Sequence, residues 1–543
     1  WPRWSNSMSE QKINPIIRFF PSLNDVAFVL PLVMLFGFMQ GSKVLLGDGD
    51  TGWHIRTGEW ILKNGRVPDS DFFSFTKPGE PWFAWEWLWD AAFGWLHLHW
   101  GMAAVLLAST LVLCATSGLL FRLVRRSCPN DFVAIAVTGL AVGASSIHWL
   151  ARPHLFTLLF TVIFYSVLEA TRERPARAAW SLVPLTVLWT NLHGGFLAGL
   201  IFILAYAAGE FAGALFPVEP GRRKTALARG GIYVLIAAGC LAASLANPYG
   251  YLLHVHIYHY LRDPFLFDHI VEFFPVNFRG SAAVMYELMF ALAAVAAYRC
   301  VARREFGRAL LVVGWAHLAL FSQRNIPLFA FAAAPPVAAM IADWVRRKAA
   351  AVEKVAAEFS VNDRIPRLRF ASAAAVAVVA ALLFAPAPPK KFRAEFDAKR
   401  YPAGAIEYFK SAGMPRALFT DDEWGDYLIY RLHPLGGQVF VDGRSDFYGA
   451  KFDEAYLDVL AVKWGWERTL GRYGVDAILL PVGAPLAGAL KESRRWRAVY
   501  DDGVAIVFQP ASNRDQAIAK TTTQITIPTQ GGDHHVEEFL ARR

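Results

Sequence analysis

The chain has 543 residues and a formal net charge of +9, with 55% hydrophobic and only 18% charged residues. Soluble globular chains are nearer a quarter charged, so this composition excludes an ordinary soluble domain and favours an integral membrane protein. The lysines and arginines fall in short clusters between long apolar segments rather than in one patch. That distribution is typical of membrane topology, and it excludes nucleic acid as a partner.

Long apolar segments divide the chain into a short N-terminal segment (1–25), a membrane domain (26–388) and a polar C-terminal part. A helix that crosses about 30 Å of hydrocarbon needs roughly 20 mostly apolar residues. On this basis the sequence predicts a mainly α-helical bundle of about eleven spans, in which the fifth and sixth can also form one broken helix. The predicted spans are 26–46, 100–121, 131–147, 154–170, 178–190, 196–216, 230–246, 283–299, 307–321, 326–345 and 370–387.

Basic residues alternate between the connections of these spans. Every second connection is rich in lysine or arginine, namely 122–126, 172–177, 222–229, 299–308 and 346–369. Cytoplasmic loops carry the excess of basic residues, so these connections and the N-terminus are predicted to lie in the cytoplasm. The first long loop (47–99) and everything after residue 388 are then predicted to lie on the non-cytoplasmic side of the cell inner (plasma) membrane.

The first outer loop begins with the acidic sequence Asp48-Gly49-Asp50. The next residues show near-helical spacing of apolar side chains, which predicts an amphipathic helix on the membrane surface. Glu86 follows later, in a tryptophan-rich run at 82–89. Asp48 or Asp50 at this position suits a helix cap, but these carboxylates also suit a general base, a divalent-metal ligand, or both.

Polar side chains gather in the other outer loops, whereas the inner loops are basic only. The candidate substrate-binding residues are His54, His148, Arg152, His154, Asn191, His193, Arg324 and Asn325. A single histidine at a helix end is often only a hydrogen-bonded structural residue, but here the loops on one side all carry such groups. Outer loops normally avoid arginine, and a guanidinium there suits a phosphate or diphosphate.

The C-terminal part, 389–510, alternates short helix-like and strand-like segments, which predicts a small extracytoplasmic α/β domain. The predicted helices are 403–412, 424–432 and 463–472, and the predicted strands are 416–420, 438–441, 476–480, 497–500 and 504–508. Residues 511–543 are polar and rich in threonine and glutamine, so they are predicted to form a disordered tail.

The acidic motif, the long first outer loop, the number of spans and the outer C-terminal domain together resemble the C-type glycosyltransferase superfamily of multi-spanning enzymes. The chain looks especially similar to bacterial membrane proteins of the protein O-mannosyltransferase-like or glycosyltransferase family 39-like kind. The motifs that carry this likeness are Trp189-x-Asn191-x-His193-Gly194-Gly195-Phe196, Trp424-Gly425-Asp426-Tyr427-Leu428 and Val441-Asp442-Gly443-Arg444. Many relatives have adjacent Asp-Glu or a single Asp after the first span, whereas a glycine separates two aspartates here, which leaves open which one is the base.

The resemblance implies transfer of a sugar from a polyprenyl-phosphate-linked donor to an acceptor protein or glycan on the non-cytoplasmic face. Asp50, Asp48 or Glu86 is then the catalytic carboxylate, and Arg152 or Arg324 balances the charge on the leaving lipid phosphate. The lipid tail enters between the spans, in contact with membrane lipids. A divalent metal ion bound by Asp48 or Asp50 is compatible with this chemistry but is not required by it.

Two other functions are compatible with the sequence. A non-catalytic membrane subunit of a larger complex keeps such a scaffold without its chemistry. A transporter needs polar residues near mid-membrane and usually has internal repeats, whereas the apolar spans here carry few charges and show no repeat.

Reporter fusions test the predicted orientation. A reporter that is active only outside the cytoplasm should be active when fused after residue 388 and inactive near residue 224 or 304, because basic connections stay inside. A reporter that is active only in the cytoplasm is the control and should give the reverse pattern. A cytoplasmic location of the 402–510 domain would contradict the orientation.

Overall fold

The computed structural model describes residues 15–216, 221–280, 283–363, 365 and 367–511. The predicted tail 511–543 therefore lies outside the described residues except for its first position. The α-helices up to residue 383 are α1 (Leu23–Leu32), α2 (Ser42–Leu45), α3 (Asp50–Asn64), α4 (Trp87–Ser127), α5 (Asp131–Ser145), α6 (His154–Ala170), α7 (Leu182–Leu192), α8 (Leu197–Leu215), α9 (Arg222–Ala243), α10 (Leu252–Tyr260), α11 (Pro264–His269), α12 (Ala283–Ala302), α13 (Phe306–Phe321), α14 (Ile326–Lys348), α15 (Ala350–Asp363) and α16 (Phe370–Leu383).

Seven helices in the described part of the chain are long and apolar enough to cross a membrane. They are Ile17–Phe38, Trp87–Ser127, Asp131–His148, Gly194–Leu215, Arg222–Ala243, Ala283–Ala302 and Gln323–Lys348. Shorter apolar helices are His154–Ala170, Phe306–Phe321 and Phe370–Leu383. Every predicted span contains a helix, and α7 and α8 are separate helices. The mainly helical membrane architecture is thus confirmed, whereas the number of eleven spans stays a prediction.

The first helix ends earlier than the predicted boundary at residue 46. It continues from α1 through a π-helical segment, Val33–Phe38, and stops before Gly41. Gly41 has φ of 60°, and a Cβ there would lie 2.1 Å from the Lys391 carbonyl oxygen. Only glycine tolerates both the backbone conformation and this close approach. The chain turns at this point, and α2 then leads to the acidic sequence at 48–50.

The basic connections meet at one end of the helix bundle. There Arg308 of α13 forms an ion pair with Glu169 of α6 and donates a hydrogen bond to the Ser127 hydroxyl of α4. The connections that carry the predicted site residues meet at the opposite end, which we call the polar end. For example, Arg152 before α6 bonds to Asp48 before α3.

The C-terminal domain packs on the polar end and contains a four-stranded sheet with the order β1-β2-β4-β3. Its elements are α17 (Ala403–Ala412), β1 (Leu418–Phe419), α18 (Asp422–Leu432), α19 (Ser445–Tyr448), α20 (Ala450–Leu460), α21 (Trp466–Arg472), β2 (Ala477–Pro481), α22 (Pro485–Glu492), β3 (Trp496–Asp501) and β4 (Ala505–Pro510). β1 and β2 are parallel, and β4 is antiparallel to both β2 and β3. The predicted small α/β domain is present, while its first residue, 389, stays a prediction.

The predicted strand at 438–441 does not join this sheet. The Val439 N–H donates to the Phe73 carbonyl oxygen at 3.0 Å, and the Val439 carbonyl oxygen accepts from the Phe75 N–H at 3.1 Å. This β-branched, apolar segment therefore pairs with the connection between α3 and α4 instead of with another strand of its own domain. The prediction was wrong because strand propensity does not say which partner satisfies the backbone.

Helix α3 forms as predicted, but it is enclosed by protein. It packs between α4 and α18, and the side chains from Asp50 to Ile55 are buried. A Cβ on Gly58 would lie 1.7 Å from the Asp90 carbonyl oxygen of α4. Gly58 thus permits a close helix crossing that any larger residue would prevent. Because of this crossing, one face of α3 contacts α4 and the other faces the C-terminal domain.

Arg444 fastens the C-terminal domain to the connection between α3 and α4. Its guanidinium is buried and pairs with Asp442 of its own domain and Asp71 of the connection, each at 2.7 Å. It also lies 4.5 Å from the centre of the Trp82 ring, a cation–π contact. Removal of either carboxylate would leave a buried charge uncompensated, at a cost of about 3–5 kcal/mol, so the domain and the connection depend on each other.

Candidate functional site

Two cavities lie at the polar end. The first, here called the apolar cavity, has a volume of about 450 Å³, and its walls include residues of α6, α8, α13 and α14. Its apolar lining includes Leu158, Leu197, Ile201, Trp315, Phe321 and Leu328. The second, here called the polar cavity, has a volume of about 610 Å³ and lies between the connections and the C-terminal domain. Asp50, Arg152 and Glu272 line both cavities and so form the wall between them.

Arg152 is the centre of this wall. Its guanidinium bonds to Asp48 at 2.8 Å and to Glu272 at 2.7 Å, and it also pairs with Asp50. The three carboxylates come from the turn before α3, the start of α3 and the segment after α11. Nearby arginine and histidine side chains hold the pKa of Glu272 well below its usual range, with Arg152 the largest favourable influence and burial opposing it. Glu272 is therefore ionised at neutral pH.

Asp50 also contacts the C-terminal domain. Its carboxyl shares a hydrogen bond with that of Asp426 of α18. Burial raises the pKa of Asp50 to about 7, although Arg152 acts to lower it. Burial and the neighbouring Asp50 carboxylate raise the pKa of Asp426 well above its usual range. A hydrogen bond between two carboxyls requires one proton, and these pKa directions place that proton on Asp426.

Gly443 closes this contact. Its N–H donates to Asp426 Oδ1 at 2.8 Å. A Cβ at this position would lie 2.6 Å from Asp50 Oδ1 and 2.7 Å from Asp426 Oδ2, so a larger residue would separate the two carboxyls. One oxygen from each of Asp48, Asp50 and Asp426 lies within 4.8 Å of the others, a spacing that also suits a metal ion.

His54 faces the apolar cavity from the next turn of α3. Its Nδ1 lies 2.7 Å from Asp90 Oδ1 of α4, and both side chains are fully buried. The His54 ring stacks on Trp53 with 3.6 Å between ring centroids. This arrangement fixes the orientation of the His54 ring and leaves Nε2 as the ring nitrogen that is free to contact a ligand in the cavity.

Glu86 and His193 lie at the same cavity. His193 Nδ1 accepts a hydrogen bond from the Gly195 N–H at 2.9 Å, so in the neutral ring the hydrogen is on Nε2. That Nε2 lies 3.6 Å from Glu86 Oε1. Burial raises the pKa of Glu86 to about 8, with Arg152 opposing the shift. At neutral pH Glu86 is therefore mostly a neutral hydrogen-bond donor.

The remaining predicted residues fall into two groups. His148, His154, Arg324 and Asn325 line the apolar cavity, and His148 also lines the polar one. Asn191 lines neither cavity. Its amide instead accepts from the Trp87 indole at 2.7 Å and donates to the carbonyl oxygens of Val187 and Ala246, each at 2.8 Å. Asn191 thus joins α4, α7 and the turn after α9.

Three carboxylates of this site were not among the candidate residues predicted from the sequence: Asp90, Glu272 and Asp426. Asp426 stands in the Trp424-Gly425-Asp426-Tyr427-Leu428 motif, which was available as a signal. Asp90 occurs near the tryptophan-rich run, and Glu272 ends an outer stretch that is rich in histidine and aspartate. Nothing in the local pattern of these residues shows that they converge on α3.

No family model matches the chain, and no curated protein matches it either. Among solved structures, it is similar to the apo form of the Archaeoglobus fulgidus oligosaccharyltransferase, with a TM-score of 0.53 and 11% identity over 90% of this chain and 74% of that one. It is also similar to oligosaccharyltransferase AglB from Archaeoglobus fulgidus in complex with an inhibitory peptide and a dolichol-phosphate, with a TM-score of 0.51 and 12% identity over 91% of this chain and 74% of that one.

The fold is similar to that of these two oligosaccharyltransferase structures. This similarity does not support the resemblance to the bacterial O-mannosyltransferase group. At this level of identity the similarity concerns the fold alone.

The pH dependence of stability tests the state of Glu86. A carboxyl pKa raised to about 8 stabilises the fold at low pH, and this contribution is lost as the pH rises from about 4 through about 8. Glu86→Gln stays neutral, so its thermal midpoint relative to the parent should rise between about pH 5 and about pH 9. Tryptophan fluorescence in detergent measures both midpoints.

The control is Glu395→Gln, because Glu395 is 67% exposed. The difference between its thermal midpoint and that of the parent should be the same at both pH values. A difference for Glu86→Gln that stays constant with pH would show that Glu86 is ionised in the folded protein throughout this range.

Proposed function

We propose that this protein is an integral membrane glycosyltransferase that moves a sugar from a polyprenyl-phosphate-linked donor to an acceptor on the non-cytoplasmic face. The apolar cavity carries the proposal, because it connects the membrane-facing surface of the bundle with the acidic wall. Ile201 and Phe321, both large and exposed, line its outer part, whereas Asp50 and Arg152 line its inner part. A ligand with an apolar tail and an anionic, polar head fits such a cavity.

Arg324 is the proposed ligand of the donor phosphate. In the described part of the chain it forms no ion pair with a carboxylate; it lies 3.4 Å from the Tyr260 hydroxyl and 4.6 Å from the centre of the Phe273 ring. Arg152, in contrast, already pairs with three carboxylates. A half-buried guanidinium without a carboxylate partner gains most from a bound phosphate.

Asp50 is the proposed base. The acceptor hydroxyl or amide gives its proton to the Asp50 carboxylate while its oxygen or nitrogen attacks the sugar carbon. The bond from that carbon to the phosphate oxygen breaks, and the lipid phosphate leaves with the electron pair beside Arg324. A pKa of about 7 makes Asp50 a suitable base near neutral pH. Glu86, with a pKa of about 8, is better suited to donate hydrogen bonds to the sugar.

The polar cavity is the proposed acceptor side. It opens between the connections and the C-terminal domain, and it meets the apolar cavity at Asp50. Donor and acceptor then approach the base from opposite sides of one wall. The similar AglB structure holds a dolichol-phosphate and an inhibitory peptide, which supports a lipid donor and a protein acceptor, with a glycan as the other class.

Asp50→Asn tests the base. The amide keeps the size of the side chain but cannot accept the acceptor proton, so turnover should fall by at least about a hundredfold. The assay measures sugar transfer from polyprenyl-phosphate sugars in membranes that contain the parent or the variant. Asp69→Asn is the matched control at an exposed position in the connection between α3 and α4, and it should keep full activity.

Full activity in a folded Asp50→Asn protein would remove Asp50 from the mechanism. If the parent transfers no sugar from any lipid-linked donor, the protein is better explained as the non-catalytic subunit of a larger complex.

Arg324→Ala tests the phosphate ligand. Loss of a hydrogen bond to a charged group costs about 1.5–3 kcal/mol, so the Kd for polyprenyl phosphate should rise about ten- to a hundredfold. Native mass spectrometry of the purified proteins measures this binding. Arg324→Lys should restore it only in part, because an ammonium lacks the guanidinium fork.

The control is Arg262→Ala, whose exposed guanidinium contacts Tyr258 rather than the cavity. It should bind polyprenyl phosphate like the parent. Equal binding by Arg324→Ala and the parent would exclude Arg324 from the donor site.

A further inference from the structure

The three aspartates at the polar end are spaced as ligands of a metal ion, yet a protein cation already lies among them. Asp48, Asp50 and Asp426 present oxygens within 4.8 Å of one another. The Arg152 guanidinium pairs with two of the three and with Glu272 as well. We propose that Arg152 takes the role of a divalent cation in this acidic centre, so that the centre works without a bound metal.

The hydrogen bonds of the individual oxygens carry this proposal. Asp48 Oδ1 accepts from the Asp50 N–H at 2.8 Å, and Asp48 Oδ2 accepts from Arg152 at 2.8 Å. Asp426 Oδ1 accepts from the Gly443 N–H at 2.8 Å. Asp50 Oδ2 pairs with Arg152. A divalent ion would have to displace the guanidinium from these oxygens.

Arg152 also does what a metal ion does for the architecture of such a centre. One of its terminal nitrogens bonds to Asp48 and Glu272, and the other pairs with Asp50. It thereby draws together carboxylates from the turn before α3, from α3 itself and from the segment after α11. The planar guanidinium offers five N–H donors in fixed directions, so one side chain can hold several carboxylates at once.

For the proposed transfer reaction, the guanidinium provides a fixed positive charge beside Asp50. The catalytic meaning of this inference rests on that proposed function. A guanidinium supplies this positive charge without any dependence on metal concentration. Arg152 acts here as a positioning residue, because it orients the base and does not itself take the acceptor proton.

The test measures metal binding directly, in the full chain purified in detergent. Mn²⁺ is titrated into the parent protein, and the free Mn²⁺ is followed by its electron paramagnetic resonance signal. The parent should bind no stoichiometric Mn²⁺, and EDTA should not change its thermal midpoint. Arg152→Ala leaves three carboxylates without their cation, so it should gain one saturable Mn²⁺ site, and Mn²⁺ should raise its thermal midpoint.

Two further variants separate this site from non-specific binding. Arg152→Ala/Asp48→Asn lacks one ligand and should lose the gained site, while Arg262→Ala, at an exposed arginine, should not gain one. Arg152→Gln keeps polar side-chain contacts and serves as the second variant if Arg152→Ala does not fold.

A stoichiometric Mn²⁺ in the parent that EDTA removes would overturn the proposal, and so would folded Arg152 variants that gain no site. This result does not depend on the proposed activity. If the parent transfers sugar and EDTA does not change the rate, this would further support the absence of a functional metal. A complete absence of transfer would count against the proposed function, but the Mn²⁺-binding result would remain valid.

Discussion

The polar end of this protein depends on one guanidinium, that of Arg152. It joins three carboxylates that are far apart in the chain, and it forms the wall between the two cavities. Several acidic side chains repel one another in a buried site, and without a cation they would protonate or move apart. Loss of the arginine would therefore leave three neighbouring carboxylates without their shared cation.

The second constraint is that the C-terminal domain completes the site instead of merely covering it. Asp426 and Gly443 supply one side of the acidic centre, and Arg444 fixes their position through Asp71 and Trp82. The domain is therefore held by the same connection, between α3 and α4, that also carries Glu86. The charges of the acidic centre and the packing around Arg444 therefore both hold the C-terminal domain against the membrane domain.

Local patterns allowed much of the fold to be predicted. The bounds of α17, 403–412, agree with the predicted helix, and every predicted apolar span contains a helix. The site was predictable only in part, because apolar periodicity and basic clusters say which residues share an end of the bundle but not which ones touch. Asp50 and Asp426 meet only because α3 packs on α18, and Asn191 turned inward to join three segments. Such pairings are properties of the tertiary structure.

The packing of α3 on α18 has a consequence for biosynthesis. A ribosome makes α3 early and α18 several hundred residues later, so the acidic face of α3 waits for its partner during most of translation. Until then Asp50 lacks both Asp426 and the cover of Gly443. A nascent chain that does not yet include α18 thus has its spans but not its finished centre, and the site can form only after the C-terminal domain has been translated.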